Sequence, residues 1–256
     1  MDSGPLLDFD FPATTLALVA ITFLVAGFVK GVVGVGFPTI AVGVMTAVIG
    51  LQPALTLAVI PAVTSNVFQA LSGDHLRELF ARFWKFFLAA VIFTWVGVLI
   101  VVKTSHPLLP LVLAASLIVQ SAFSLANYRP VIPARRETLL SPLLGAATGV
   151  IMGLTGSGSI PSVYYFDALG LDRNRLVQTM GMLFLTLTLA LGISLFERAA
   201  YDGHMFAISL AGIVPTVIGL FAGQRLRHKM PETMFRKALY LALMGLGFVI
   251  VFRTLA

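Results

Sequence analysis

The stretch "GVVGVGFPTI", residues 31–40, decides the fold. Gly31, Gly34, Gly36 and Pro38 crowd into it, with long apolar runs on either side. Glycine weakens a helix interior and proline removes a backbone donor, so a helix that could have continued stops here. In water such a break costs little. In lipid the freed N–H and C=O groups must be buried against protein or line a wet cavity.

The composition says which solvent applies. Of 256 residues, 58% are hydrophobic and 11% charged, against roughly 25% charged in soluble domains. Apolar runs recur from Ala13 onward, which predicts an all-α, polytopic membrane protein forming a single membrane domain over 1–256. A sequence pI near 10.0 raises the question of nucleic acid. The bases lie in short clusters between apolar runs without interleaved aromatics, so no nucleic-acid partner is expected. The absence of cysteine excludes thiolate chemistry. "MDSGPLLDFDFP" carries three aspartates and no base, unlike the start of a signal peptide, so no cleaved signal is expected.

Hydropathy marks segments at about Ala13 to Val29, Pro38 to Ile49, Pro53 to Leu71, Phe83 to Val102 and Pro107 to Ala126. A second set runs at about Leu139 to Leu154, Pro161 to Leu169, Arg175 to Phe196, Met205 to Gly223 and Met234 to Phe252. The second member of each set is too short to cross a hydrocarbon core of about 30 Å. The expectation is 8–10 membrane segments in two repeats, about 13–127 and 138–253, each with one short or re-entrant segment.

The halves match in detail. Gly31, Gly34 and Gly36 align with Gly153, Gly156 and Gly158, the turn Gly50-Leu51 recurs at Gly170-Leu171, and Gly97 with Pro107 parallels Gly219 with Pro231. With the N-terminus outside, Arg77, Arg82, Lys85, Arg129, Arg135, Arg136, Arg173, Arg175, Arg225, Arg227, Lys229, Arg236 and Lys237 fall on the cytoplasmic side. Only Lys103, Arg198 and Arg253 fall outside. This positive-inside bias orients the repeats oppositely and puts both termini outside a cytoplasmic (inner) membrane.

Each break precedes a short helix whose N-terminus offers unpaired N–H donors to an anion. The candidate substrate-binding residues are therefore Gly34, Gly36, Gly156, Gly158, Ser157 and Ser159, with Thr155 as a further donor. If the two breaks meet, they clasp a small anion; close helix packing is the competing role for the same glycines. The next segments add Asn66, Gln69, Gln178 and Thr179, beside Thr64, Ser65 and Thr186. Pro61 leaves the carbonyl of Leu57 without its helical donor. Lys30 sits at the first break, where it attracts an anion or, the preferred reading for a lysine at a helix end, snorkels to the interface. Asp167 is expected to pair with Arg173 or Arg175. His75, His106, His204 and His228 lie in predicted loops, so no metal site, cofactor or proton relay is expected.

Three stretches together, "GFVKGVVGVGFPTIAVGVM", "GLQPALTLAVIPAVTSN" and "GVIMGLTGSGSIPSVYYFDALGLDRNRLVQT", resemble the sulfite exporter TauE/SafE family of membrane transporters. The resemblance covers about residues 14–252. It implies movement of a small anion (sulfite, a sulfonate or a related organic anion) across the cytoplasmic membrane by alternating access, in the direction of export. An inside-negative potential would assist, by about 2.3 kcal/mol per charge per 100 mV. The alternatives are a ten-helix metabolite exporter for another substrate and a non-transporting membrane assembly protein. Glycine-rich faces also fit a homo-oligomer, and no nucleophile with a base marks an enzyme.

Overall fold

The computed structural model describes residues 11–104, 108–127, 131–197, 203–227 and 232–255. All regular structure among them is helical, in the order α1 (Ala13–Val33), α2 (Phe37–Ile49), α3 (Leu51–Ala70), α4 (Leu76–Thr104), α5 (Leu109–Leu125), α6 (Ala134–Thr155), α7 (Ser162–Ala168), α8 (Arg173–Phe196), α9 (Gly203–Ala211), α10 (Ile213–Arg227) and α11 (Glu232–Leu255). Seven spans are long and apolar enough to cross a membrane, counting 203–226 as one, and α2 and α5 are shorter apolar helices. The chain is a multi-pass membrane protein.

Both breaks fall where glycine takes the left-handed region. α1 ends on Gly34, φ 90°, whose N–H bonds the Lys30 carbonyl at 2.7 Å. Gly36, φ 101°, opens α2, and Pro38 sits in its first turn where the missing donor does no harm. In the second half Gly156, φ 69°, ends α6, with its N–H on Met152 O at 2.7 Å. Gly50 and Gly170, matched across the halves, both have positive φ. The short segments are as short as the sequence requires: α2 has 13 residues and α7 has 7, about 20 and 10 Å of rise.

Three boundaries differ from expectation. α4 and α6 begin at Leu76 and Ala134, before Phe83 and Leu139, because their polar first turns stay helical beyond the apolar run. Arg82 grips Glu137 there with two bonds of 2.8 Å and joins the two helices. The segment expected at Met205 to Gly223 divides at Gly212 into α9 and α10. Pro215 explains the division, since its nitrogen cannot donate to Ala211 O. His204 consequently lies in the first turn of α9 and not in a loop. Arg129, Arg198, Lys229, His106, His228, Pro107 and Pro231 lie outside the described residues.

The helices pair across the halves. α1 packs on α10 and α4 on α6, while α3 packs on α8 and α5 on α11. The two close pairs depend on glycine. A Cβ on Gly31 would press on α10 backbone, including Gln224 N at 2.8 Å and Gly223 Cα at 3.0 Å, and one on Gly153 on α4 backbone, including Val98 N at 2.6 Å and Gly97 Cα at 2.7 Å. The first glycine of each triplet is thus a packing residue, as small residues in membranes commonly are.

Candidate functional site

Close packing of α1 on α10 turns the neighbouring residue, Lys30, away from lipid and toward α3. Its side chain is only 3% exposed, so it does not snorkel. The amine donates to Ser65 Oγ at 3.1 Å and to Asn66 Oδ1. Both acceptors are held in turn. Ser65 Oγ donates to Ala62 O at 2.9 Å, and Asn66 Nδ2 donates to Thr188 Oγ1 at 3.3 Å. Among the described residues no carboxylate pairs with Lys30. A buried amine without a counter-ion is costly unless a ligand supplies one.

Lys30 faces a cleft of about 440 Å³. Gly31 and Gly34 form its α1 side, Ser65, Phe68, Gln69 and Ser72 its α3 side, Asn174 and Val177 its α8 side, and Leu220 and Gln224 its α10 side. Gln69 spans the floor, its Nε2 bonding Gly34 O at 2.7 Å and Val177 O at 2.9 Å while its buried Oε1 has no hydrogen-bond partner. The cleft opens beside Ser72 and Asn174, at the end of the bundle where α4 and α8 start with Arg77, Arg82 and Arg175.

The two breaks meet beyond the cleft. Thr39, in the first turn of α2, hydrogen-bonds Ser157 at 2.7 Å and Ser159 at 3.2 Å. Thr155 Oγ1 accepts from Ser157 N at 3.1 Å, and Ser162 bonds Gly158 O at 2.5 Å. The hydroxyls of Thr39, Ser157 and Ser159 therefore satisfy one another, and those of Thr155 and Ser162 bond backbone. The void left between Pro38, Leu55, Gly156, Met152 and Leu191 is about 10 Å³, too small for more than a single water. A Cβ at Gly158 would meet the end of the Leu187 side chain, Cδ1 at 2.7 Å, so little free space is left beside it.

The expected site residues thus divide by location. Lys30, Gly34 and Gln69 line the cleft and Asn66 holds Lys30; Gly156, Ser157, Gly158 and Ser159 form the closed junction; Gly36 starts α2. Gln178 and Thr179 are occupied elsewhere. Gln178 accepts from His75 N at 3.0 Å and donates to Ala70 O and Gly73 O at 3.0 and 2.6 Å, bracing the α3–α4 turn. Thr179 bonds its own helix at Arg175 O, 2.7 Å. Freed by Pro61, the Leu57 carbonyl accepts from Ser209 at 2.8 Å.

Asn174, Leu220 and Gln224 were not legible as cleft residues. Asn174 sits inside "DRNR" and Gln224 inside "GQRLR", which read as interfacial charge clusters. Arg175 takes Asp172 at 3.0 Å and Glu78 at 3.3 Å in place of the expected Asp167, and the Arg173 side chain lies outside the described residues. Asp172 caps α8, and the backbone N–H of Arg175, then its guanidinium, hold this carboxyl below the usual carboxylate range.

A bundle of paired membrane helices, interrupted twice and holding a polar cleft open at one end, is the architecture of a membrane carrier. The family model "Sulfite exporter TauE/SafE" matches residues 19–250, and the chain belongs to that family of membrane transporters. No curated protein and no solved structure matches it.

Proposed function

We propose that the protein is a secondary transporter that carries a small anion, sulfite, a sulfonate or a related organic anion, across the cytoplasmic membrane by alternating access, in the direction of export. The observation that carries this is Lys30: a buried amine without a carboxylate partner, facing a cleft open at one end of the bundle. The arginine-rich end is cytoplasmic by the positive-inside rule, so the cleft faces inward and both termini lie outside. The Thr39–Ser157–Ser159 junction is the closed outer gate of this state.

Crossed pairing of α1 with α10 and α4 with α6 supports two inverted repeats, each moving as part of a unit containing elements of the other. Lys30 attracts the anion, Ser65 and Asn66 hold the amine, and Gly34 keeps the backbone accessible beside it. Reconstitution into liposomes tests the reading. Counter-flow of labelled sulfite or methanesulfonate is expected with the wild-type protein, and a loss of at least about tenfold with Lys30→Met. Absence of flux for sulfite, sulfate, sulfonates and organic acids alike would overturn it.

A further inference from the structure

We infer that this carrier is an exchanger: it reorients when Lys30 is paired with an anion and stalls when the cleft is empty. The inference rests on the transport reading above and adds its mode.

An ammonium has three N–H donors. Ser65 Oγ and Asn66 Oδ1 accept two of them, and the hydrogen bonds those residues make onward, to Ala62 O and Thr188 Oγ1, fix which atoms they present. The third donor and the charge itself are left for a ligand. Nothing in the wall substitutes. Among the described residues Lys30 is the single ionisable one of the cleft lining, and α2 and α3 carry no ionisable side chain. On α8, Arg175 is engaged by Asp172 and Glu78; on α10, Arg225 is exposed; on α11, Lys237 is exposed and Arg253 bonds Ala47 O.

The path ahead is dry. Beyond the cleft, the small void beside the closed junction is lined by Val42, Leu55, Val59, Met152 and Leu191, with Thr188 as its polar member, and the junction's own hydroxyls on Thr39, Ser157 and Ser159 bond one another. In the alignment of the glycine triplets Met152 stands where the first half has Lys30, so that position offers neither a counter-charge nor a second cation. To face the other side, Lys30 must pass through an occluded state in which cleft water is gone and its charge is uncompensated. That penalty is severe for a lone ammonium and small for an ammonium–anion pair. Return of the empty carrier is therefore the slow step, and a second anion removes it.

One-for-one exchange of monoanions moves no net charge, so the membrane potential does not drive it, unlike the potential-assisted export expected from the sequence. The counter-substrate is another small monoanion of the same size class.

The test uses the full-length wild-type protein in liposomes with potassium and valinomycin, which remove any limit from charge build-up. Uptake of labelled sulfite at pH 6, where most of it is the hydrogensulfite monoanion, is compared between vesicles preloaded with unlabelled sulfite and vesicles preloaded with sucrose. Exchange predicts uptake at least about tenfold faster into the sulfite-loaded vesicles, the factor that ~1.4 kcal/mol in the return barrier produces. Equal rates overturn exchange and leave transport standing; no uptake into either overturns the transport reading beneath it. Lys30→Met, checked for monodispersity by gel filtration, is expected to lose the stimulation by internal sulfite. A Lys30→Met protein that keeps it removes Lys30 from the mechanism, and the wild-type comparison stands without any variant.

Discussion

Lys30 donates to Asn66 Oδ1, and Asn66 Nδ2 donates onward to Thr188, so one amide joins the end of α1 to α3 and α8 and can accept from the amine through its oxygen only. Asn66→Asp keeps the shape and gives Lys30 a permanent counter-ion. The substrate then competes with an internal carboxylate. Sulfite affinity is expected to fall at least about tenfold, ~1.4 kcal/mol, with the melting temperature unchanged or raised. Asn66→Leu should do the opposite to stability, leaving a buried amine short of an acceptor at about 1–3 kcal/mol. Isothermal titration and thermal unfolding in detergent separate the two effects. Wild-type affinity in Asn66→Asp would show that the free charge of Lys30 is not what binds.

Gln178 is a brace in this conformation. Its three bonds, to His75 N, Ala70 O and Gly73 O, secure the turn between α3 and α4. Gln178→Leu strands these backbone groups, at about 1–3 kcal/mol for a buried group left unpaired. Hydrogen exchange is expected to accelerate at His75 while the affinity for sulfite changes less than about twofold. A large loss of affinity with unchanged exchange would place Gln178 at the substrate.

Asp172 makes stability depend on pH in a defined direction. Its carboxyl is depressed, first by the Arg175 backbone N–H and then by the Arg175 side chain. A depressed folded-state value means that the stabilisation is fully present above the unfolded value of about 4 and disappears as pH falls through the folded one. Asp172→Asn keeps the cap oxygen and loses the charge. The wild type is expected to melt higher than Asp172→Asn at neutral pH, with the gap closing below about pH 4. A gap constant down to pH 2 would contradict the assignment.

The breaks were legible because lipid leaves the backbone no alternative: Gly34 and Gly156 take positive φ, and α2 and α7 are too short to span. Pro61 was legible for the same reason, one missing donor freeing one named carbonyl. The direction of Lys30 was not, since a lysine at a helix end snorkels unless a neighbour is close enough to turn it. That neighbour is α10, nearly the whole chain away in sequence but adjacent through Gly31 and Gly223. Helix starts at Leu76 and Ala134 were missed because hydropathy does not register polar first turns held by Arg82 and Glu137. The glycine triplets were read as one feature, whereas Gly31 and Gly153 pack helices and Gly34 and Gly156 end them.

That division of labour is itself testable. At Gly31 a methyl group meets backbone that cannot yield, so Gly31→Ala pushes α1 off α10 and moves Lys30 with it. Gly153→Ala meets an equally fixed wall on α4, remote from the cleft. Both are expected to lose about 1–3 kcal/mol of stability to overpacking, but only Gly31→Ala should weaken sulfite binding, by about tenfold. Gly36→Ala touches nothing within 4 Å and suffers only from its φ of 101°, at about 1–2 kcal/mol. Thermal unfolding and sulfite titration on the three variants decide the matter. If Gly153→Ala weakens binding as much as Gly31→Ala, the loss reflects general destabilisation and the placement of Lys30 by the α1–α10 contact is wrong.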